Sequence, residues 1–228
     1  MPRMRRPYVI CHMLPSIDGR IVIRDWKLSN ATREYERTAA TFGADAWIIG
    51  RISMEPYAGK AHVPKRKNRE RIAREDWIAE QDATSYAVAI DPSGKLTWRA
   101  SDIDGEHVIT ILTESVSDDY LAFLQAKGVS YLFGGTSRID LEVVLQKLRA
   151  RFGIRTLLLE GGGKINGSFL AADLIDELSI LVGPIADGSV GTPTLFDAED
   201  RAPVRRLKLM SVAKRAGGIV WLRYKIRR

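Results

Sequence analysis

Cysteine is almost missing from this chain: Cys11 is the only one in 228 residues. That count excludes an intrachain disulfide and a thiolate metal cluster. Cys11 sits inside an apolar run, which reads as a buried, inert thiol rather than a nucleophile. A cytoplasmic location is the default for such a chain. Histidine is equally sparse: His12, His62 and His107 stand too far apart for a histidine metal motif, so metal chemistry is not expected. No apolar stretch approaches the ~20 residues a membrane helix needs. The N-terminal MPRMRRPYVICHMLPSIDG sets basic residues before an apolar run, Tyr8–Leu14. That run is short and is followed by an acidic turn instead of a small-residue cleavage site, so it reads as the first core strand, not a signal peptide. The chain also lacks a G-x-x-x-x-G-K-[ST] phosphate loop, an internal repeat and a Pro/Gly/Ser linker. One domain over residues 1–228 is the economical reading.

What is present is an ordinary globular composition, 45% hydrophobic and 28% charged, with ample material for a core. Strand-length apolar runs recur at Tyr8–Leu14, Ala46–Ile49, Tyr86–Ile90, His107–Leu112, Val129–Phe133, Thr156–Leu159 and Leu178–Val182. Segments of helical period lie among them: Thr32–Phe42, with Asn30 or Thr32 as cap, then Ser117–Ala126, Asp140–Phe152 and Lys164–Leu174. Two last candidates, Val204–Val212 and Ile219–Ile226, flank Ala216–Gly218 as a hairpin. The alternation predicts an α/β fold, a largely parallel sheet with antiparallel strands added at one edge. Pro56–Asp82 is the least regular stretch and reads as a charged loop with a surface helix.

The net charge of +7 concentrates in Arg3–Arg6, Lys60–Glu75 and Lys225–Arg228. The middle cluster mixes acids with its bases and lacks interleaved aromatics, so it reads as a solvated helix face rather than a nucleic-acid surface.

Three stretches suggest chemistry. In LLLEGGGKINGSFLAADLIDEL, Leu157–Leu178, three glycines separate a strand from a helix. Free amides at a helix start favour an anion, and bare backbone lets a diphosphate approach closely. The alternative is a tight turn in a crowded contact. The dinucleotide fingerprint is imperfect, because Asn166 holds its third glycine position. In DAWIIGRISMEPYAG, Asp45–Gly59, a strand ends at Gly50 and is followed by Arg51 and Ser53. An arginine there suits a phosphate monoester such as the 2′-phosphate of NADPH, or is simply a surface residue. In PSIDGR, Pro15–Arg20, Asp18-Gly19 makes a turn at the carboxyl end of the first strand, where sheets of this type place ligands.

Together these stretches resemble the reductase domain of riboflavin biosynthesis, the C-terminal half of the bifunctional deaminase-reductase, whose fold is similar to dihydrofolate reductase. Leu157–Gly188 carries most of the likeness; Ser16–Arg20, Ala44–Ser53 and Ala89–Leu96 follow in the family's order. The resemblance implies a three-layer α/β/α domain with a mixed, mostly parallel sheet and a C-terminal antiparallel hairpin. It also implies an NADPH-dependent reductase of a small molecule, commonly a homodimer. Cofactor-binding positions would be Gly50, Arg51, Ser53, Gly161, Gly162, Gly163, Lys164, Ile165 and Asn166; substrate-binding positions would be Ser16, Asp18 and Glu160. No His-x-Glu and Pro-Cys-x-x-Cys zinc site is present, so no deaminase half is expected. The family's DDP-x-L-T-x-R segment is replaced by Met54–Lys60, without its arginine, and a helix arginine of the family falls near Thr41.

The implied reaction is hydride transfer to a phosphoribosylaminopyrimidine, turning ribosyl into ribityl, with Asp18 and Glu160 as orienting or protonating groups. Arg33, Arg51 and Arg138 are open choices for the substrate phosphate. The missing arginine keeps a second reading, an NADPH reductase of a pterin or similar heterocycle. A third, a non-catalytic basic binding protein, gives no reason for Gly161–Gly163.

Overall fold

The computed structural model describes residues 6–59, 62–67, 70–198 and 204–227. Of the basic clusters, Arg3, Arg5, Lys60, Arg69 and Arg228 lie outside these residues. The chain divides into two compact units, one of Met1–Pro7 and Asp45–Arg155, the other of Tyr8–Ala44 and Thr156–Arg228.

In the first unit, β2 (Ala46–Gly50), β3 (Tyr86–Ile90), β5 (Glu106–Thr113) and β6 (Ser130–Gly135) form parallel pairs in the order β2–β3–β5–β6. The short β4 (Asp102–Ile103) pairs antiparallel with β5. Their buried runs are nearly continuous in apolar residues, as a parallel sheet covered on both faces demands. Met54, Trp98, Leu112, Leu121, Leu124 and Tyr131 are packed in its core. Each such leucine contributes roughly 1.5–3 kcal/mol relative to exposure. α2 (Arg51–Met54) is a single turn that the sequence pattern did not announce. α3 (Asp118–Lys127) and α4 (Leu141–Phe152) begin where their caps predict. Ser117 accepts from the Tyr120 N–H, and Asp140 from the Glu142 and Val143 N–H groups. Both end in a left-handed glycine, Gly128 and Gly153.

The expected surface helix within Pro56–Asp82 is absent from its described residues; the segment runs as an extended strap. Trp77 exchanges backbone hydrogen bonds with Tyr131 of β6, at 3.0 and 2.9 Å, and stacks on its ring, which covers a strand edge. The reading of its bases as a solvated helix face is also corrected. Arg74 pairs with Asp118 at 2.5 Å, and Arg66 lies 3.7 Å from both Asp118 and Asp119, where α3 begins. Acids placed to suit a helix start are therefore also docking points for the strap.

In the second unit the strand order is β7–β1–β8–β10–β9, with β7 (Thr156–Leu159), β1 (Tyr8–Met13) and β8 (Glu177–Val182) parallel. β10 (Val220–Ile226) and β9 (Leu207–Lys214) add the antiparallel hairpin around a turn at Ala216–Gly218. β9 begins and ends later than Val204–Val212. α1 spans Ala31–Ala40 and α5 spans Gly163–Ala171, both shifted toward the N-terminus of their expected ranges. Asn30 caps α1 by position but makes no side-chain capping bond.

Polar groups inside this unit are paired in a chain. Trp221 Nε1–H donates to Ser179 Oγ at 2.8 Å, Ser179 Oγ lies 2.9 Å from His12 Nδ1, and His12 Nε2 lies 3.1 Å from the Tyr35 carbonyl. Burial pushes the His12 pKa down to about 4. Cys11 is buried and its thiol pKa is pushed well up, chiefly by burial, as expected of an inert thiol.

Candidate active site

The carboxyl ends of β1 and β7 are neighbours in register, Cys11 opposite Leu159. The chain therefore brings the Ser16–Arg20 turn and the Glu160–Gly163 loop to one end of one sheet. The segment 183–198 stitches them together. Gly183 N–H donates to the Pro15 carbonyl at 2.8 Å, Leu195 N–H to Gly19 at 3.0 Å, and Asp197 N–H to Gly163 at 2.9 Å.

Asp18 is the anchor of the first turn. Its Oδ1 accepts from Ser16 Oγ at 2.7 Å and from the Asp187 N–H at 2.9 Å; Oδ2 accepts from the Gly188 N–H at 2.9 Å. These bonds, the Asp187 amide first, hold its carboxyl well below the usual range. Asp18 is thus an anion at neutral pH, and an orienting role suits this geometry where proton donation does not.

The three glycines answer three different demands. Gly161 has φ +104, a conformation that side chains rarely adopt, and an added Cβ would lie 3.2 Å from Met13 Cε. At Gly163 a Cβ would lie 2.5 Å from Asp197 Oδ2, so packing against the 194–198 segment fixes that glycine. A crowded contact is thus a sufficient reason for the missing side chain at Gly163. Gly167 is fixed the same way, with a Cβ 2.5 Å from the Ala198 nitrogen. Gly162 is different: its φ of −75 and ψ of −171 suit any residue, and it is only partly buried. It caps α5 with no side-chain hydrogen bond and no acid in the first turn. A helix start at the end of a strand whose cap residue makes no side-chain hydrogen bond fits a diphosphate. Lys164 is exposed and Ile165 half-buried, whereas the Asn166 side chain is fully buried and donates to the Leu195 carbonyl at 3.0 Å. Glu160, half-buried, raises the Cys11 thiol pKa further through its charge.

Gly50, Arg51 and Ser53 lie in the first unit, at the β2–α2 junction. Gly50 is the extended cap of α2, and Arg51 is ion-paired with Glu55, four residues on. Beside this junction, one residue past the end of β3, is a group that sequence reasoning passed over. Asp91 is fully buried; its Oδ2 accepts from the Lys95 and Leu96 amides at 2.6 and 2.7 Å, while Oδ1 has no partner. Burial pushes its pKa up. Its place within AIDPSGKL was visible in the sequence, but its burial was not.

Glu34 sits in the first turn of α1 and is only 2% exposed. A separate pocket of about 460 Å³ is lined by Ile23, Arg24, Trp26, Lys27, Leu28 and the start of α1. Among the described residues no group of His, Cys, Asp and Glu is arranged to hold a metal ion, and no helix is long and apolar enough to cross a membrane.

A family model described as the RibD C-terminal domain matches residues 7–221. A 2,5-diamino-6-ribosylamino-4(3H)-pyrimidinone 5′-phosphate reductase of Archaeoglobus fulgidus is 25% identical over 197 residues, 85% of this chain and 88% of that protein. Riboflavin biosynthesis protein RibD of Bacillus amyloliquefaciens is 37% identical over 210 residues; the match takes in 85% of this chain and 50% of that protein's length. Among solved structures, a pyrimidine reductase-like protein of Corynebacterium diphtheriae aligns with a TM-score of 0.71 at 18% identity, covering 97% of this chain and 92% of its own. Acinetobacter baumannii RibD aligns at 0.68 and 23% identity, covering 97% and 58%. At these identities the structural likeness speaks for the fold.

Proposed function

The chain belongs to the RibD C-terminal domain family, and from that membership we propose that it is an NADPH-dependent reductase of the riboflavin pathway, with residues 1–228 acting as one reductase domain. Its substrate is a phosphoribosylaminopyrimidine, whose ribosyl group becomes ribityl. The observation that carries the reading is the uncapped start of α5 at Gly162, beside the carboxyl end of β1. The amides after Gly162 would hold the diphosphate, with Lys164 at its edge; the family resemblance gives Arg51, ion-paired with Glu55, as the candidate for the 2′-phosphate. When bound, the reduced nicotinamide supplies a hydride. The imine carbon of the ring-opened sugar accepts it, the C=N electron pair moves to nitrogen, and that nitrogen takes up a proton. Glu160 is the candidate to supply that proton, and ionised Asp18 keeps the Ser16–Arg20 turn in place.

The test is oxidation of NADPH with 2,5-diamino-6-ribosylamino-4(3H)-pyrimidinone 5′-phosphate; no turnover with it or with its uracil counterpart would discard the reading. Arg51→Ala should weaken NADPH by roughly 10- to 100-fold, the worth of a charge-assisted pair, and NADH far less. An equal effect on both nucleotides removes Arg51 from that role. A pterin substrate is the second reading, favoured by the missing arginine in Met54–Lys60; faster turnover of dihydrofolate would establish it. A homodimer fits the edge strand β9, where Leu207, Leu209, Met210 and Val212 are exposed. A monomer mass by light scattering would exclude it. The cytoplasm remains the proposed location, on the single buried cysteine.

A further inference from the structure

Among the described strands β6 pairs with β5 alone, so its other side is a sheet edge. That edge is a row of outward backbone groups, the N–H and C=O of Tyr131 and of Phe133. A bare row of this kind is a template for another strand. All four groups are taken. Trp77 supplies the one backbone bridge, giving its N–H to the Tyr131 carbonyl at 3.0 Å and accepting from the Tyr131 N–H at 2.9 Å. The next pair is met by side chains. Asp76 Oδ1 accepts from the Phe133 N–H at 2.9 Å, and Lys147 Nζ of α4 donates to the Phe133 carbonyl at 2.8 Å. The same ammonium lies 2.9 Å from Asp76 Oδ1, so carboxylate and ammonium close the row as one unit.

The strap therefore covers this strand without becoming a strand itself. Its single bridge at Trp77 is isolated, and its remaining hold is by side chains. Ser130 Oγ accepts from the Ala79 N–H at 2.9 Å, and Arg74 donates to the Glu114 and Val116 carbonyls at 3.0 and 2.9 Å. What lies beneath needs a cover: Tyr131, Leu132 and Phe133 are buried, apolar and uncharged, the type of edge that recruits other chains.

Uncovered, the edge fits a second copy of itself. Tyr131 and Phe133 stand one on each side of Leu132. Two β6 strands related by a twofold axis at Leu132 set Tyr131 opposite Phe133 twice, and each pair exchanges both hydrogen bonds. The Trp77 bridge is itself antiparallel, which shows that these groups accept an antiparallel partner. We propose that Asp76, with Lys147, latches a strap that guards β6, and that unlatched β6 pairs antiparallel with β6 of a second copy about Leu132. The latch is independent of the reductase reading, because none of its residues belongs to the proposed site.

The test compares the full-length wild type with Asp76→Ala and with Asp76→Ala/Trp77→Pro, in which proline lacks the N–H that the Tyr131 carbonyl accepts. Light scattering follows mass against concentration, and NMR follows amide exchange. In dilute Asp76→Ala the Phe133 amide should exchange about 10- to 100-fold faster, the loss of a bond to a charged acceptor. The concentrated double variant should have at least twice the wild-type mass, with the Tyr131 and Phe133 amides protected again, and dilution should reverse both. A double variant of wild-type mass at every concentration would overturn the proposal. So would a heavier species in which those two amides stay open, since it would associate elsewhere. Should the double variant lose the protected amides of β3 and β5 and so fail to fold, Asp76→Ala alone decides. A smaller, reversible rise in mass is then expected, and unchanged mass with wild-type Phe133 exchange would count against the latch.

Discussion

Two junctions in this molecule carry a strand through glycines into a helix, and they are built in opposite ways. At the end of β6, Gly134 and Gly135 lead through a short turn to Asp140, whose Oδ1 takes the N–H groups of Glu142 and Val143 at 2.9 and 3.1 Å. After β7, Gly161–Gly163 lead straight into α5, and no side chain caps it. The glycines of the first junction serve packing: a Cβ at Gly134 would lie 2.9 Å from Val144 Cγ2. At the second, Gly161 and Gly163 are likewise fixed by backbone and contact, while the φ and ψ of Gly162 suit any residue. Glycine content therefore does not distinguish a ligand loop from a tight turn. What distinguishes them is whether the helix start satisfies its own amides.

Three substitutions put that contrast at risk. The largest effect is expected from Gly163→Val, which forces a side chain into Asp197 and should cost about 3 kcal/mol or more in a urea melt. Near-normal stability would mean that the 194–198 segment yields and that packing does not require glycine at Gly163. Gly162→Ala should leave stability within about 1 kcal/mol, because φ and ψ there suit any residue, while NADPH affinity drops by about 2 kcal/mol as the methyl intrudes on the diphosphate. Unchanged affinity by calorimetry would make the second junction no different in kind from the first. Asp140→Ala is the mildest, a loss of about 1 kcal/mol in stability from the missing cap, with cofactor affinity untouched.

The order of strands and helices was legible because parallel strands buried on both faces read as unbroken apolar runs, and because Ser117, Asp140, Gly128 and Gly153 announce helix ends by local chemistry. The strap over β6 was misread for the opposite reason. Its bases look solvated in sequence, and their partners Asp118 and Asp119 lie some 50 residues away. The site was legible in part: the Ser16–Arg20 and Glu160–Gly163 motifs do meet at one end of β1 and β7. Asp91 escaped notice because an acid beside a turn has no sequence mark of burial.

The sequence by itself determined the alternation of elements, the lone inert thiol, the capped helices and the family, since each rests on residues adjacent in the chain or on a motif read as a string. Only the tertiary structure decided that packing against the 194–198 segment fixes Gly163, that Asp18 is a clamped anion, and that Asp91 is shut away from water. Those properties depend on contacts between residues far apart in the chain, such as Asp18 with Gly188 or Gly163 with Asp197, and on exclusion of water, which is a property of the assembled fold and of no local segment.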